Sequence, residues 1–216
     1  MNNLKSLLPK TKEVLLQLSK LQMMQSYTFV GGSALSVYLN HRLSEDLDFF
    51  SADKELDTTK ILNEINLLNF NEIRIINSSK IQLDLFLNNV KVTFFANNWK
   101  ELNKKELLIG SIYIAPVFLL SAMKVNTLFM RAKYRDYYDL YVINKELYTL
   151  KEIFDFSKKL LPGVTVKLFQ NALIFIADIE DDSIKHLKPK YKVTIKKIAD
   201  HFEHNIRLWL NSGSKN

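Results

Sequence analysis

The sequence predicts an α+β protein, with a mixed sheet and flanking helices in the N-terminal half and a helical bundle in the C-terminal half. Three observations carry that prediction. Short β-branched and aromatic segments, some alternating in polarity, are confined to the residues before Pro116. From Pro116 onward, most segments space their apolar residues three and four apart. Pro162-Gly163 and Pro189 divide that second half into helix-sized pieces. The expected domains are residues 1–114 and 115–216, with a cleft between them as the default substrate site.

Taken in order, Pro9 to Met24 reads as a helix with Val14, Leu15, Leu18 and Leu21 on one stripe and Pro9 in its first turn. Tyr27 to Val30 is β-branched and aromatic and suits a short strand. Gly31 and Gly32 break it, and Ser33 is placed to cap a helix over Ala34 to Leu39. Leu47 to Phe50 returns to a strand, and Thr58 to Leu68 gives an amphipathic helix with Ile61, Leu62, Ile65 and Leu68 inward. Ile73 to Ile76 reads as a strand. Lys80 to Leu87 and Val90 to Ala96 flank Asn88-Asn89, a pair that tolerates the positive φ of a two-residue hairpin turn. Helices are expected over Pro116 to Met130, Tyr137 to Asn144, Leu150 to Leu160, Val164 to Ile176 and Val193 to Leu210.

Composition narrows the classes. Hydrophobic residues make up 47% of the 216 and aromatics 12%, enough for packed cores, so wholesale disorder is excluded. The absence of cysteine excludes disulfides, thiolate chemistry and zinc held through sulfur. The first residues, MNNLKSLLPKTKE, lack the apolar run of a signal peptide, and no apolar stretch approaches the length of about eighteen residues that spans a membrane. A cytoplasmic protein without membrane partners is expected. The net charge of +7 favours a polyanionic partner, nucleic acid above all, although Lys- and Asn-rich composition also arises from genomic base bias.

The segment GGSALSVYLNHRLSEDLDFF carries the most chemistry. On an extended strand Asp46 and Asp48 share one face, about 6–7 Å apart, close enough to reach one divalent ion. A hard cation such as Mg²⁺ takes one or two carboxylates together with triphosphate oxygens. Glycines let a backbone approach phosphate closely, and amides at a helix start favour anions. A Gly-Gly turn alone is common, and an acidic doublet alone usually lies on a solvated edge. Their combination in a strand-turn-helix-strand context is what points to a triphosphate and its metal ion.

That segment, with MKVNTLFMRAKYRDYYDLY at Met123 to Tyr141, resembles the nucleotidyltransferase superfamily of the polymerase-beta type, and within it the AbiEii-type toxins of abortive-infection and type IV toxin-antitoxin systems. The resemblance implies a nucleotidyltransferase-like α/β domain followed by a helical domain that contributes phosphate- and substrate-binding residues. It implies Mg²⁺ or Mn²⁺ on Asp46 and Asp48, an NTP held by Gly31, Gly32 and Ser33, and Lys124 and Arg131 on its phosphates. Arg42, just before the doublet, is a further phosphate candidate, with His41 beside it.

Nucleotidyltransferases of this type usually have a third acid on a neighbouring strand, often the one resembling VKVTFF. Here that strand offers Thr93 and no acid. A two-residue turn at Asn88-Asn89 pairs Asp84 with Thr93, and opposed residues point to the same face. Asp84 is therefore the candidate third acid; a surface strand aspartate is the alternative, and a one-residue register slip turns it away.

Lys124 and Arg131 lie two helical turns apart on one face. Lys124 either snorkels to solvent or, as the resemblance implies, contacts the triphosphate. Tyr134 to Tyr141 reads YRDYYDLY and resembles the family's Arg-Asp-x-x-Asp-Leu signature. Asp136 suits a helix cap with Asp139 in the first turn, Arg135 is spaced to pair with Asp139 and is a further nucleotide-binding candidate, and the resemblance implies that one of Asp136 and Asp139 is a functional acid. The nearby tyrosines either stack on bases or pack a helical core.

The expected activity is transfer of NMP from an NTP to a hydroxyl. The resemblance implies the 3′ end of tRNA as acceptor, blocking translation, and a cognate antitoxin or regulator as partner. Modification of a protein or a small molecule is the alternative within the enzyme class. A catalytically silent RNA- or protein-binding module is the alternative outside it.

Overall fold

The structure, a computed structural model, describes residues 4–179 and 184–213, with side chains as far as Asn211. The chain divides into two compact units, residues 1–117 and 118–216.

The first unit is built on one seven-stranded mixed sheet. Its strands are β1 (Thr28–Val30), β2 (Leu47–Ser51), β3 (Ile73–Ser78), β4 (Gln82–Leu87), β5 (Val90–Ala96), β6 (Glu106–Ile109) and β7 (Ile112–Ile114), in the order β3-β4-β5-β2-β1-β7-β6. β2 with β5 and β1 with β7 are parallel; the other neighbours are antiparallel. Helices α1 (Pro9–Leu18), α2 (Gly31–Leu39) and α3 (Thr58–Asn66) complete the unit.

Period-two alternation sorts the side chains of the central strands. Phe29, Phe49, Phe94 and Leu83 are opposed across β1, β2, β5 and β4, and all are fully buried. Phe49 lies 5.4 Å from Phe29 and 5.5 Å from Phe94 between ring centroids, so this row is an aromatic core. The other face carries Asp48, Thr93 and Asp84 in one row and Phe50, Phe95 and Gln82 in the next.

The β4–β5 hairpin turns at Asn88 and Asn89 with φ of 48° and 66°, the left-handed pair that a two-residue turn requires. Its register opposes Leu87 to Val90 and Asp84 to Thr93, as the turn residues predict. The β6–β7 hairpin was not expected. Its strands of four and three residues are too short for alternation to register, and its turn depends on Gly110 at φ +55°, where a Cβ would run into the Ser19 carbonyl.

That same contact shortens the first helix. A helix to Met24 was expected, but α1 stops at Leu18. The Ser19 carbonyl instead accepts from the Ser111 amide at 2.8 Å, and the Ser19 hydroxyl donates back to Leu16. Gln22–Ser26 continues as a 3₁₀ turn. Asp57 caps α3 by accepting from the Lys60 amide at 2.9 Å.

The second unit contains α4 (Val117–Met130), α5 (Tyr134–Glu146), α6 (Leu150–Leu160), α7 (Val166–Ile174) and α8 (Ile195–Gly213). α5 begins a turn earlier and ends later than its sequence pattern suggested. Its tyrosines are core: Tyr137 and Tyr138 are fully buried, the Tyr137 hydroxyl donates to the Ala172 carbonyl, and the Tyr138 hydroxyl accepts from the Tyr191 amide. A reciprocal capping box between Thr149 and Glu152 starts α6. No helix among the described residues is long and apolar enough to cross a membrane.

Candidate active site

In the first unit, β1 runs directly into α2 at Gly31. Gly31 has φ +77°, and a Cβ there would overlap the Asp48 carboxylate, with Asp48 Cγ only 3.1 Å from it. Register explains the approach, because Asp48 is opposed to Val30, the residue before Gly31. Only glycine both adopts this backbone and leaves the carboxylate room. The acid is thereby held against the first turn of α2.

Ser33 was expected to cap the helix that follows it. Instead α2 begins at Gly31, with Val30 as an N-cap that supplies no side-chain acceptor, so Ser33 sits inside the first turn. Its hydroxyl is buried, donates to the Asp46 carbonyl and lies 2.8 Å from the Ser44 hydroxyl, from which it can accept. Ser33 therefore ties the strand that carries the doublet to the helix start. The Gly31, Gly32 and Ser33 amides occupy the helix-terminal positions that have no acceptor within a helix.

Asp46 and Asp48 are both half-exposed, while Leu47 and Phe49 between and beyond them are fully buried. The strand is therefore anchored on one face by Leu47 and Phe49 and presents Asp48 on the other, with Asp46 just before its first residue. Arg42 does not extend from this region. It is buried, and its guanidinium reaches the Leu43 carbonyl at 3.0 Å and the Ser44 hydroxyl at 3.4 Å, bracing its own loop. His41 is buried completely.

Asp84 is largely buried in the row that contains Asp48, one strand beyond Thr93. Its two carboxylate oxygens accept from Thr93 Oγ1 and Gln82 Nε2, each at 2.8 Å. Two strand spacings put its backbone about 10 Å from that of Asp48. The expected register of Asp84 opposite Thr93 is observed, and its second partner, Gln82, was not expected although the i, i+2 spacing puts it on the same strand face. Lys91, exposed on the Thr93 face of β5, was likewise not expected.

The second unit assembles its own charged cluster. Lys124 neither snorkels nor stands alone: its Nζ is buried between Asp136 at 3.0 Å and Asp139 at 2.6 Å. Arg131 joins through Nε to Asp136 Oδ2 at 3.0 Å and Nη2 to Oδ1 at 3.2 Å. Asp136 and Asp139 are three apart, so both face α4. Asp136 does not cap α5, because Lys133 is the N-cap and Asp136 lies in the first turn. Burial works against its ionisation, but the charges and hydrogen bonds of Lys124 and Arg131 prevail and hold its carboxyl below the usual range. The partner expected for Asp139 was Arg135; Lys124 takes that place, and Arg135 is half-exposed.

Asp48 on β2 and Asp46 just before its first residue are hard oxygen donors, a set that suits Mg²⁺ or Mn²⁺. Among the described residues no group of three or more His, Asp or Glu is placed to hold a metal ion. Substrate phosphate oxygens are the ligands that commonly complete such a two-carboxylate site.

Residues 13–82 match the family described as nucleotidyl transferase AbiEii toxin, type IV TA system. The chain is 24% identical over 212 residues to the uncharacterized protein aq_aa25 of Aquifex aeolicus (strain VF5), covering 97% of this chain and 100% of that one. Its fold is similar to that of JHP933 from Helicobacter pylori, at a TM-score of 0.59, 19% identity and 96% coverage of both chains. It is also similar to MenT4, the nucleotidyltransferase toxin Rv2826c of Mycobacterium tuberculosis H37Rv, at a TM-score of 0.55 and 13% identity, covering 92% of this chain and 84% of that one. Residues 13–82 are thus similar to the AbiEii nucleotidyltransferase toxin family, and the chain as a whole shares its fold with JHP933 and MenT4.

Proposed function

We propose that this enzyme moves NMP from an NTP to the 3′ end of tRNA, in the cytoplasm, as the toxin of a pair with a cognate antitoxin. The observation that carries the site assignment is the packing of the Asp48 carboxylate into the space above Gly31, beside the amides that open α2. An anion-binding helix start and a metal-binding carboxylate thus lie side by side.

The acceptor oxygen attacks the α-phosphorus, a new P–O bond forms, the α–β bridging bond breaks, and pyrophosphate leaves. Gly32 and Ser33 hold the β- and γ-phosphates through backbone amides, while Asp46 and Asp48 hold the divalent ion. When bound, that ion supplies charge neutralisation on the phosphoryl oxygens. Asp84 receives the acceptor proton, oriented by the hydrogen bonds from Thr93 and Gln82. Arg131, the half-exposed member of the second unit's cluster, is that unit's own candidate for binding a phosphate group, with Lys124, Asp136 and Asp139 fixing the helices that carry it. The exposed lysines 185, 188, 192, 196 and 197, beside Lys190, which pairs with Glu146 at 2.8 Å, support a nucleic-acid acceptor.

The test is labelled NTP with Mg²⁺ and a tRNA pool. Label enters tRNA with the wild type, is lost with Asp48→Ala, and falls on the order of 10²-fold with Asp84→Asn. Label on protein instead of tRNA overturns the acceptor assignment, and wild-type turnover by Asp84→Asn removes that residue from the reaction.

A further inference from the structure

The face of β2, β5 and β4 that holds Asp48, Thr93 and Asp84 also carries two aromatic rings. Phe50 and Phe95 are opposed in register one row beyond Asp48 and Thr93. Their centroids lie 5.1 Å apart at an interplanar angle of 47°, and both side chains are half-buried. The sheet does not need them for its core, because the opposite face is filled by Phe29, Phe49 and Phe94, all fully buried. Between Asp48, Asp84 and Gln82, two partly exposed phenylalanines stand where a water-facing strand position would ordinarily be polar.

Their position fits a nucleotide. The row of Phe50 and Phe95 lies two strand residues, about 6.6–7 Å, from the row of Asp48 and Thr93. A triphosphate fixed by Asp48 and the start of α2 leaves its ribose to bridge such a gap and its base to reach the rings. We propose that the Phe50–Phe95 pair is the stacking surface for the base of the bound NTP. The assignment rests on the reading of Asp46, Asp48 and the α2 start as the triphosphate site. Because every base has a π face, such a surface raises affinity for all four nucleotides and sets little preference among them.

Equilibrium binding with Mg²⁺ separates this from the reading beneath it, using ATP, GTP, CTP and UTP as one set of probes and inorganic tripolyphosphate, which has no base, as the other. Phe95→Leu and Phe50→Leu weaken all four nucleotides roughly tenfold and leave tripolyphosphate unchanged, while Phe95→Trp keeps nucleotide affinity. Asp48→Ala weakens both kinds of probe. The stacking surface is overturned if the leucine variants bind nucleotides as the wild type does, if they weaken both kinds of probe equally, or if only the KM for the tRNA acceptor rises. Tripolyphosphate binding that ignores Asp48→Ala overturns the triphosphate site itself, a result no phenylalanine variant produces.

Discussion

Replacing Gly31 with alanine tests whether the glycine exists for Asp48. Two costs arise at Gly31. The first is its φ of +77°, which an L-residue adopts at a cost of about 1–2 kcal/mol. The second is the overlap between the new Cβ and the Asp48 carboxylate. Leu47 and Phe49 are fully buried on either side of Asp48, so the strand cannot retreat and the carboxylate must swing away or α2 must shift. Overpacking of this kind adds about 1–3 kcal/mol. Gly163 isolates the first cost, because it has φ +88° and a Cβ there would meet nothing within 4 Å. In urea unfolding Gly163→Ala should lose about 1–2 kcal/mol with normal turnover. Gly31→Ala should lose roughly 2–5 kcal/mol, the sum of its two terms, and its kcat should fall on the order of 10²-fold, the penalty of displacing a reacting group by about an ångström. The reasoning is refuted if Gly31→Ala costs no more than Gly163→Ala and keeps wild-type kcat.

Two further outcomes concern the second unit. Lys124→Met removes the cation from between two fully buried carboxylates and should destabilise by about 3–5 kcal/mol in chemical denaturation, with Asp139→Asn added in the same chain recovering part of the loss. His201 packs on Tyr141 and shares a 2.8 Å hydrogen bond with Asn144 Oδ1, near Asn205, Phe202, Lys145 and His204. Burial, then the charges of Lys145 and His204, push it down to about 4 from its ordinary 6.5. Between those values the unfolded chain binds the extra proton, so stability is complete above about pH 6.5 and declines toward pH 4. After allowance for partial exposure the loss should be about 1–2 kcal/mol, read as a falling midpoint in pH-resolved thermal melts. His201→Phe should flatten that limb, and an unchanged limb would exclude His201 as its source.

The parts of this fold that sequence pattern captured are those set by neighbours along the chain. The Asn88-Asn89 turn determines the hairpin register, and with it the pairing of Asp84 with Thr93. The three-residue spacing of Asp136 and Asp139 puts both acids on one helix face, although their partner, Lys124 rather than Arg135, depends on how α4 and α5 pack. What pattern did not capture is made by long-range contacts. The β6–β7 hairpin is short, and the end of α1 is decided by a carbonyl that another turn requires. The Arg42 side chain stays in its loop because acceptors there satisfy it.

Gly31 shows why the combined motif is specific when each half is common. A glycine before a helix is usually read as clearance for a phosphate, and an acidic doublet as a ligand for metal. In this fold the clearance at Gly31 is occupied by the doublet's own second carboxylate, and the Ser33 hydroxyl is spent on the carbonyl of its first residue. The glycine-serine turn therefore positions the acids before any substrate arrives. Two sequence segments that constrain each other sterically cannot drift independently, so finding both at the correct spacing says more about chemistry than the product of two weak signals.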